Sequence, residues 1–183
     1  MNQMSSIKRA TITAVCIALC YILPLVFHAL GAGSVFSPMH IPVLLCGLIC
    51  GCGYGAFCGI AGPVLSSVLS GMPTATQLIY FVPELMVYGF VTGLLMKLVH
   101  TRKLLPDIFI ALVTAMLSGR IVGGIVEALF YLGSGRPFTI VALSAGYFVT
   151  TLPGIICQLI VIPILVTTLM KARLIPSRYS KGD

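Results

Sequence analysis

The sequence predicts an all-α integral membrane protein of six transmembrane helices, with the N- and C-termini both cytoplasmic. Three observations carry that reading. The 183 residues are 58% hydrophobic and 8% charged, with a mean hydropathy of +1.11, against about 25% charged in an ordinary soluble domain; a water-soluble globule is excluded. Uncharged stretches long enough to cross a bilayer recur, and none alternates apolar and polar residues as a lipid-facing barrel strand does. Lys and Arg, which collect on the cytoplasmic side of membranes, gather at alternate connections. At about 20 residues per span, the length holds about six spans and no second folded domain, so residues 1–183 read as one membrane domain.

Span one covers about 9–30. Lys8 and Arg9 before it resemble the charged start of a signal peptide, but the apolar run of about 20 residues exceeds a signal's core of about 7–15. After a loop at 31–38, residues 39–71 are too long for one span and are interrupted by Gly51-Cys52-Gly53-Tyr54-Gly55, which reads as a tight turn. This gives spans two (39–52) and three (54–71). Spans four, five and six follow at about 77–99, 106–133 and 141–172. With the N-terminus inside, Lys8, Arg9, Lys97, Arg102, Lys103, Lys171, Arg173, Arg178 and Lys181 fall on the inner side and Arg136 on the outer. The net charge of +7 is therefore spread over short connections, where it orients the chain and marks no nucleic-acid surface.

The cysteines at 16, 20, 46, 50, 52, 58 and 157 lie in apolar stretches, where free thiols behave as small hydrophobes. Cys46, Cys50, Cys52 and Cys58 cluster without zinc-ligand spacing and without a His among them, so no metal site is expected. GxxxxGK[ST], GxSxG and HExxH motifs do not occur. The chain is not expected to use ATP itself or to act as an enzyme.

Three ionisable residues are out of place in a membrane: Glu84, Arg120 and Glu127. A charge near the bilayer centre costs roughly 2.5–3.5 kcal/mol on the most lenient scale, so such residues face a cavity or each other. Glu84 belongs to a stripe with Gln77, Tyr80 and Tyr88 on span four. Arg120 and Glu127, nearly two turns apart, share a face of span five that Tyr131 continues. Ser144, Tyr147, Thr151, Gly154 and Gln158 make a third stripe on span six. Counted from the outer ends, these faces meet in the outer half, with Arg120 deeper. His28 and His40 flank the 31–38 loop over the expected cavity mouth. One reading has Arg120 neutralise Glu84 or Glu127 to hold helices together. The other makes the faces a site for an external small molecule, in which the leftover carboxylate suits a cationic or amine-bearing ligand. A self-sufficient channel or facilitator is the alternative function.

Gly47, Gly51, Gly55 and Gly59 recur every fourth residue, and Gly89/Gly93 and Gly119/Gly123 repeat the spacing. Small residues of this kind let helices approach closely in lipid. The order of features, with Ala14-Val15-Cys16-Ile17-Ala18 in span one, then Met39-His40-Ile41-Pro42-Val43-Leu44-Leu45-Cys46-Gly47, the glycines, and Gly62-Pro63, resembles the substrate-binding S components of energy-coupling factor (ECF) transporters. The resemblance implies high-affinity binding of a vitamin or related micronutrient in an outer pocket. It also implies docking on a membrane scaffold (T) subunit that carries two ATPase subunits, so that ATP is used by the partners and the chain itself has no cofactor. The family's docking face falls on Ala14 and Ala18, its gating loop on 31–38, and its ligand contacts on the 70–76 loop and on Tyr80, Glu84, Glu127 and Tyr147. Gln77, Arg120 and His40 complete the candidate binding set. Two acids, one base and several tyrosines suit an amine-bearing or heteroaromatic vitamer of pyridoxine or pyrimidine type, and Arg120 equally suits pantothenate. The implied location is the prokaryotic plasma membrane, as a multi-pass protein.

Overall fold

A computed structural model describes residues 4–29, 31, 38–134 and 152–175. Among the described residues there are six helices and no strand: α1 (Ser6–Ala29), α2 (His40–Cys50), α3 (Cys52–Ser70), α4 (Ala75–Leu98), α5 (Leu104–Gly133) and α6 (Leu152–Lys171). Five are long and apolar enough to cross a membrane, and α2 is the shorter sixth. The second expected span, 39–52, corresponds to this short helix. Its 11 residues rise only about 16 Å at 1.5 Å per residue, roughly half of the hydrocarbon core.

Local chemistry sets the helix ends. The glycine-rich segment breaks at one residue, Gly51, whose φ of 97° favours a residue without a Cβ. Gly53, Tyr54 and Gly55 already belong to α3. Gly71 closes α3 in the left-handed conformation, its N–H bonding Ser67 O, which is a common helix stop. A capping box starts α4: Thr74 Oγ1 accepts from Gln77 N, while Gln77 Oε1 accepts from Thr74 N at 3.0 Å, so two otherwise unpaired donors are satisfied. Near the start of α5 the fully buried Asp107 accepts from Thr101 N at 2.9 Å and Thr101 Oγ1 at 2.7 Å, tying down the α4–α5 connection.

The centre of the bundle is α2, buried along almost its whole length, as a helix apolar on every side should be. Around it pack α1, α3, α4 and α6. Leu129, Leu132, Val68 and Ile156 are among the many large apolar side chains turned outward, the surface that lipid requires. Where α2, α3 and α4 meet, backbones touch. A Cβ on Gly89 would strike Gly55 O, and one on Gly55 would lie 2.7 Å from Gly47 Cα. The contacts also give direction, because Gly47 meets Gly89 and Thr92 while Gly59 meets Leu85; α2 runs with α4, and α3 runs against it.

From α1, Thr13, Cys16 and Cys20 turn inward, spaced three and four apart. Cys46 Sγ lies 3.5 Å from Thr13 Oγ1, Cys20 Sγ donates to Met39 O at 3.8 Å, and Cys50 Sγ donates to Arg9 O at 3.7 Å. The thiols of α1 and α2 thus fill the seam between these helices.

Candidate functional site

On α4, Tyr80, Glu84 and Tyr88 follow one another at four-residue steps, which stacks them on one face. That face meets α5. A Cβ on Gly123 would lie 2.8 Å from Glu84 Oε2 and 3.0 Å from Glu84 Cβ, and one on Gly119 would strike the Tyr88 ring. The two helices therefore run antiparallel, with Gly123 opposite Glu84 and Gly119 opposite Tyr88. Tyr80 is half-buried, with Glu127, Tyr131 and Glu84 as its ionisable neighbours and the Gln77 side chain beside its hydroxyl.

Glu84 is 2% exposed, His40 4% and Arg120 5%. The Tyr88 hydroxyl donates to Glu84 Oε1 at 2.7 Å, and His40 Nε2 lies 3.6 Å from the same oxygen. The His40 ring sits 5.1 Å from the Tyr88 ring, tilted by 50°, and edge-on to Phe81 at 6.5 Å. Thr92 Oγ1 continues the polar line by donating to Tyr88 O. Glu84 Oε2 has no hydrogen-bond partner among the described residues. A buried carboxylate oxygen left that way carries a desolvation cost that a donor would relieve.

The level of the site follows from α2. His40 is its first residue, yet it touches Glu84, the tenth residue of α4. The N-terminus of α2 thus opens about 13 Å along α4 from the Ala75 end, and its positive dipole end lies beside the Glu84 carboxylate. The basic side chain seen against Glu84 is thus His40, where the sequence offered Arg120 as a partner for Glu84 or Glu127.

The candidates do not all converge. Glu84 and His40 meet directly, Tyr80 and Glu127 are neighbours across α4 and α5, and Arg120 is buried on the inward side of α5. Gln77 is exposed, with its Oε1 engaged by Thr74. The 70–76 loop is tied back to the end of α3: Ser66 Oγ and Ser67 Oγ donate to Met72 O and Pro73 O at 2.7 and 2.8 Å, and Ser70 Oγ to Ser66 O at 2.7 Å. Tyr147, Ser144, Thr151 and Arg136, together with 32–37 of the 31–38 loop, lie outside the described residues. From the polar stripe of span six, Gly154 and Gln158 are buried on α6. Ala14 and Ala18 are exposed, so the small-residue face of α1 turns away from the bundle.

Sequence reasoning placed Tyr88 in the polar stripe but not among the binding residues, although its four-residue offset from Glu84 was the available signal. On sequence alone Gly119 and Gly123 read as helix-packing glycines. Among the described residues there is no group of three or more His, Cys, Asp or Glu able to hold a metal ion.

A family model described as "ECF transporter, substrate-specific component" matches residues 8–166, from the start of α1 to near the end of α6. No curated protein and no solved structure matches the chain.

Proposed function

The chain belongs to the substrate-specific components of ECF transporters, and from that membership we propose that it is the high-affinity binding subunit of an ATP-driven importer of a vitamin or related micronutrient. The single observation that carries the site is the buried Glu84 carboxylate, held on one oxygen by Tyr88 and His40 and lacking a described partner on the other. An N–H group or protonated nitrogen on the ligand supplies the missing donor. Phe81, Tyr80 and His40 provide the aromatic wall, since the chain has no Trp. This favours an amine-bearing or heteroaromatic vitamer of pyridoxine or pyrimidine type, with pantothenate as the choice if Arg120 anchors a ligand carboxylate. Tyr80, Glu127, Arg120 and Tyr147 complete the binding set in this reading.

In this reading both termini and the α4–α5 connection, with Lys97, Arg102 and Lys103, face the cytoplasm, an orientation that the distribution of basic residues favours, and the membrane is the prokaryotic plasma membrane that the family implies. The site then lies toward the external side. The chain works with a membrane scaffold subunit, met through Ala14 and Ala18, and with two ATPase subunits that consume the ATP. Mass spectrometry of small molecules released from the purified chain, followed by a thermal-shift screen of water-soluble vitamins, tests the proposal. One tightly held micronutrient supports it. An empty chain with no shift, together with ATP-independent flux in liposomes holding this chain alone, moves the function to a facilitator.

A further inference from the structure

The glycines of this bundle fall into two groups by what a side chain would meet. At Gly55, Gly59, Gly89 and Gly93 the nearest obstacles are backbone atoms, of neighbouring helices or, for Gly93, of the Gly51–Cys52 junction, as expected where small residues let helices touch. At Gly123 all three nearest obstacles belong to the Glu84 side chain: Oε2 at 2.8 Å, Cβ at 3.0 Å and Cδ at 3.2 Å. The same four-residue glycine spacing thus serves two purposes. We propose that Gly123 is a positioning residue: its bare Cα sets the depth and direction of the Glu84 carboxylate, and the side chain present at 123 determines which ligand donor that carboxylate accepts. The consequence for ligand choice rests on the binding function proposed above, whereas the positioning of Glu84 does not.

Gly119 makes the complementary contact. A Cβ there runs into the ring of Tyr88, which is fully buried and has no room to turn. A Cβ at 123 meets the carboxylate end of the Glu84 side chain, which turns aside about its own torsions, and the Glu84 Cβ at 3.0 Å, which is eased by a shift of a few tenths of an ångström between α4 and α5. Gly123→Ala therefore moves the carboxylate without unfolding the bundle. Gly123→Ser adds similar bulk together with a hydroxyl that reaches Oε2 and donates to it.

The chain contains two glutamates, Glu84 and Glu127, so glutamate labelled with ¹³C at the carboxyl carbon yields two resonances, which Glu127→Gln assigns. The expected result is a displaced Glu84 resonance in Gly123→Ala and a different displacement in Gly123→Ser. Gly133→Ala, at a position with open space around it, leaves the resonance unmoved, and all three variants unfold near the wild-type temperature. Identical resonances in wild type, Ala and Ser overturn the proposal. So does failure of both 123 variants to fold while Gly133→Ala folds, because Gly123 would then be a packing glycine like Gly89. Pyridoxine serves as the binding probe: a thermal shift in wild type that both 123 variants lose extends the positioning to recognition. Displaced resonances with no pyridoxine shift in wild type sink the substrate reading and leave the positioning standing, and displaced resonances with the pyridoxine shift retained by both variants overturn the link to ligand choice.

Discussion

The Tyr88 hydroxyl donates to Glu84 Oε1 at 2.7 Å from one turn further along the same face of α4, inside a bundle where neither side chain is more than 2% exposed. A carboxylate held this way is oriented before any ligand arrives, and orientation paid in advance lowers the cost of binding. Because Tyr88 is itself wedged against Gly119 and His40, its hydroxyl has little freedom to abandon Glu84.

Glu84→Gln keeps the shape and still accepts from Tyr88, but removes the charge. Loss of a charge-assisted hydrogen bond to the ligand costs about 1.5–3 kcal/mol, roughly a ten- to hundredfold weaker Kd. The expected outcome is that loss with the unliganded melting temperature nearly unchanged, measured by titration of the micronutrient released from wild type. A collapse of expression with normal affinity in the surviving fraction would show that Glu84 serves the fold instead.

Tyr88→Phe leaves Glu84 Oε1 with His40 alone. A buried acceptor deprived of its donor costs about 1–3 kcal/mol, so the unliganded chain is expected to melt a few degrees lower and to bind more weakly. Differential scanning fluorimetry and titration together read both effects, and an unchanged melting temperature would mean that the hydrogen bond contributes nothing to stability.

His40→Leu removes the imidazole beside Glu84 Oε1 and leaves the buried carboxylate charge to Tyr88 alone, which costs about 1–3 kcal/mol. Adding Glu84→Gln removes the stranded charge, so the double variant is expected to be more stable than His40→Leu alone. Additive melting-temperature losses would show that the 3.6 Å contact carries no coupling.

Part of this was legible in advance. The membrane class follows from composition, the break near Gly51 from glycine spacing, and Glu84 from the cost of an acid in lipid. The shortness of α2 was not legible, because 41–52 is free of charged and strongly polar side chains and hydropathy does not separate a spanning helix from one that starts partway down. The His40 contact was hidden for the same reason, since it depends on where α2 begins relative to α4. The role of Gly123 needs the antiparallel register of α4 and α5, which no local pattern encodes.

Gly89→Ala tests the backbone seam. Its Cβ would strike Gly55 O and approach Gly55 C and Ala56 N, with no flexible side chain to yield. Overpacking costs about 1–3 kcal/mol where side chains can adjust, and here α3 and α4 must separate. The expected outcome is loss of folded protein by size-exclusion chromatography. A well-folded Gly89→Ala would show that the seam is looser than the contacts imply.

The face of α1 that carries Ala14 and Ala18 is exposed, while Thr13, Cys16 and Cys20 on the opposite side bind α1 to α2 and α3. Large side chains at 14 and 18 therefore point away from the bundle and from Glu84, but they block any helix that approaches closely over small residues. Ala14→Trp combined with Ala18→Trp is expected to abolish co-purification with the scaffold and ATPase subunits while the isolated chain keeps its micronutrient affinity. Retained assembly would place the docking surface elsewhere. Loss of affinity in the isolated chain would mean that the outer face of α1 communicates with the Glu84 site, which the inward anchoring of Thr13, Cys16 and Cys20 argues against.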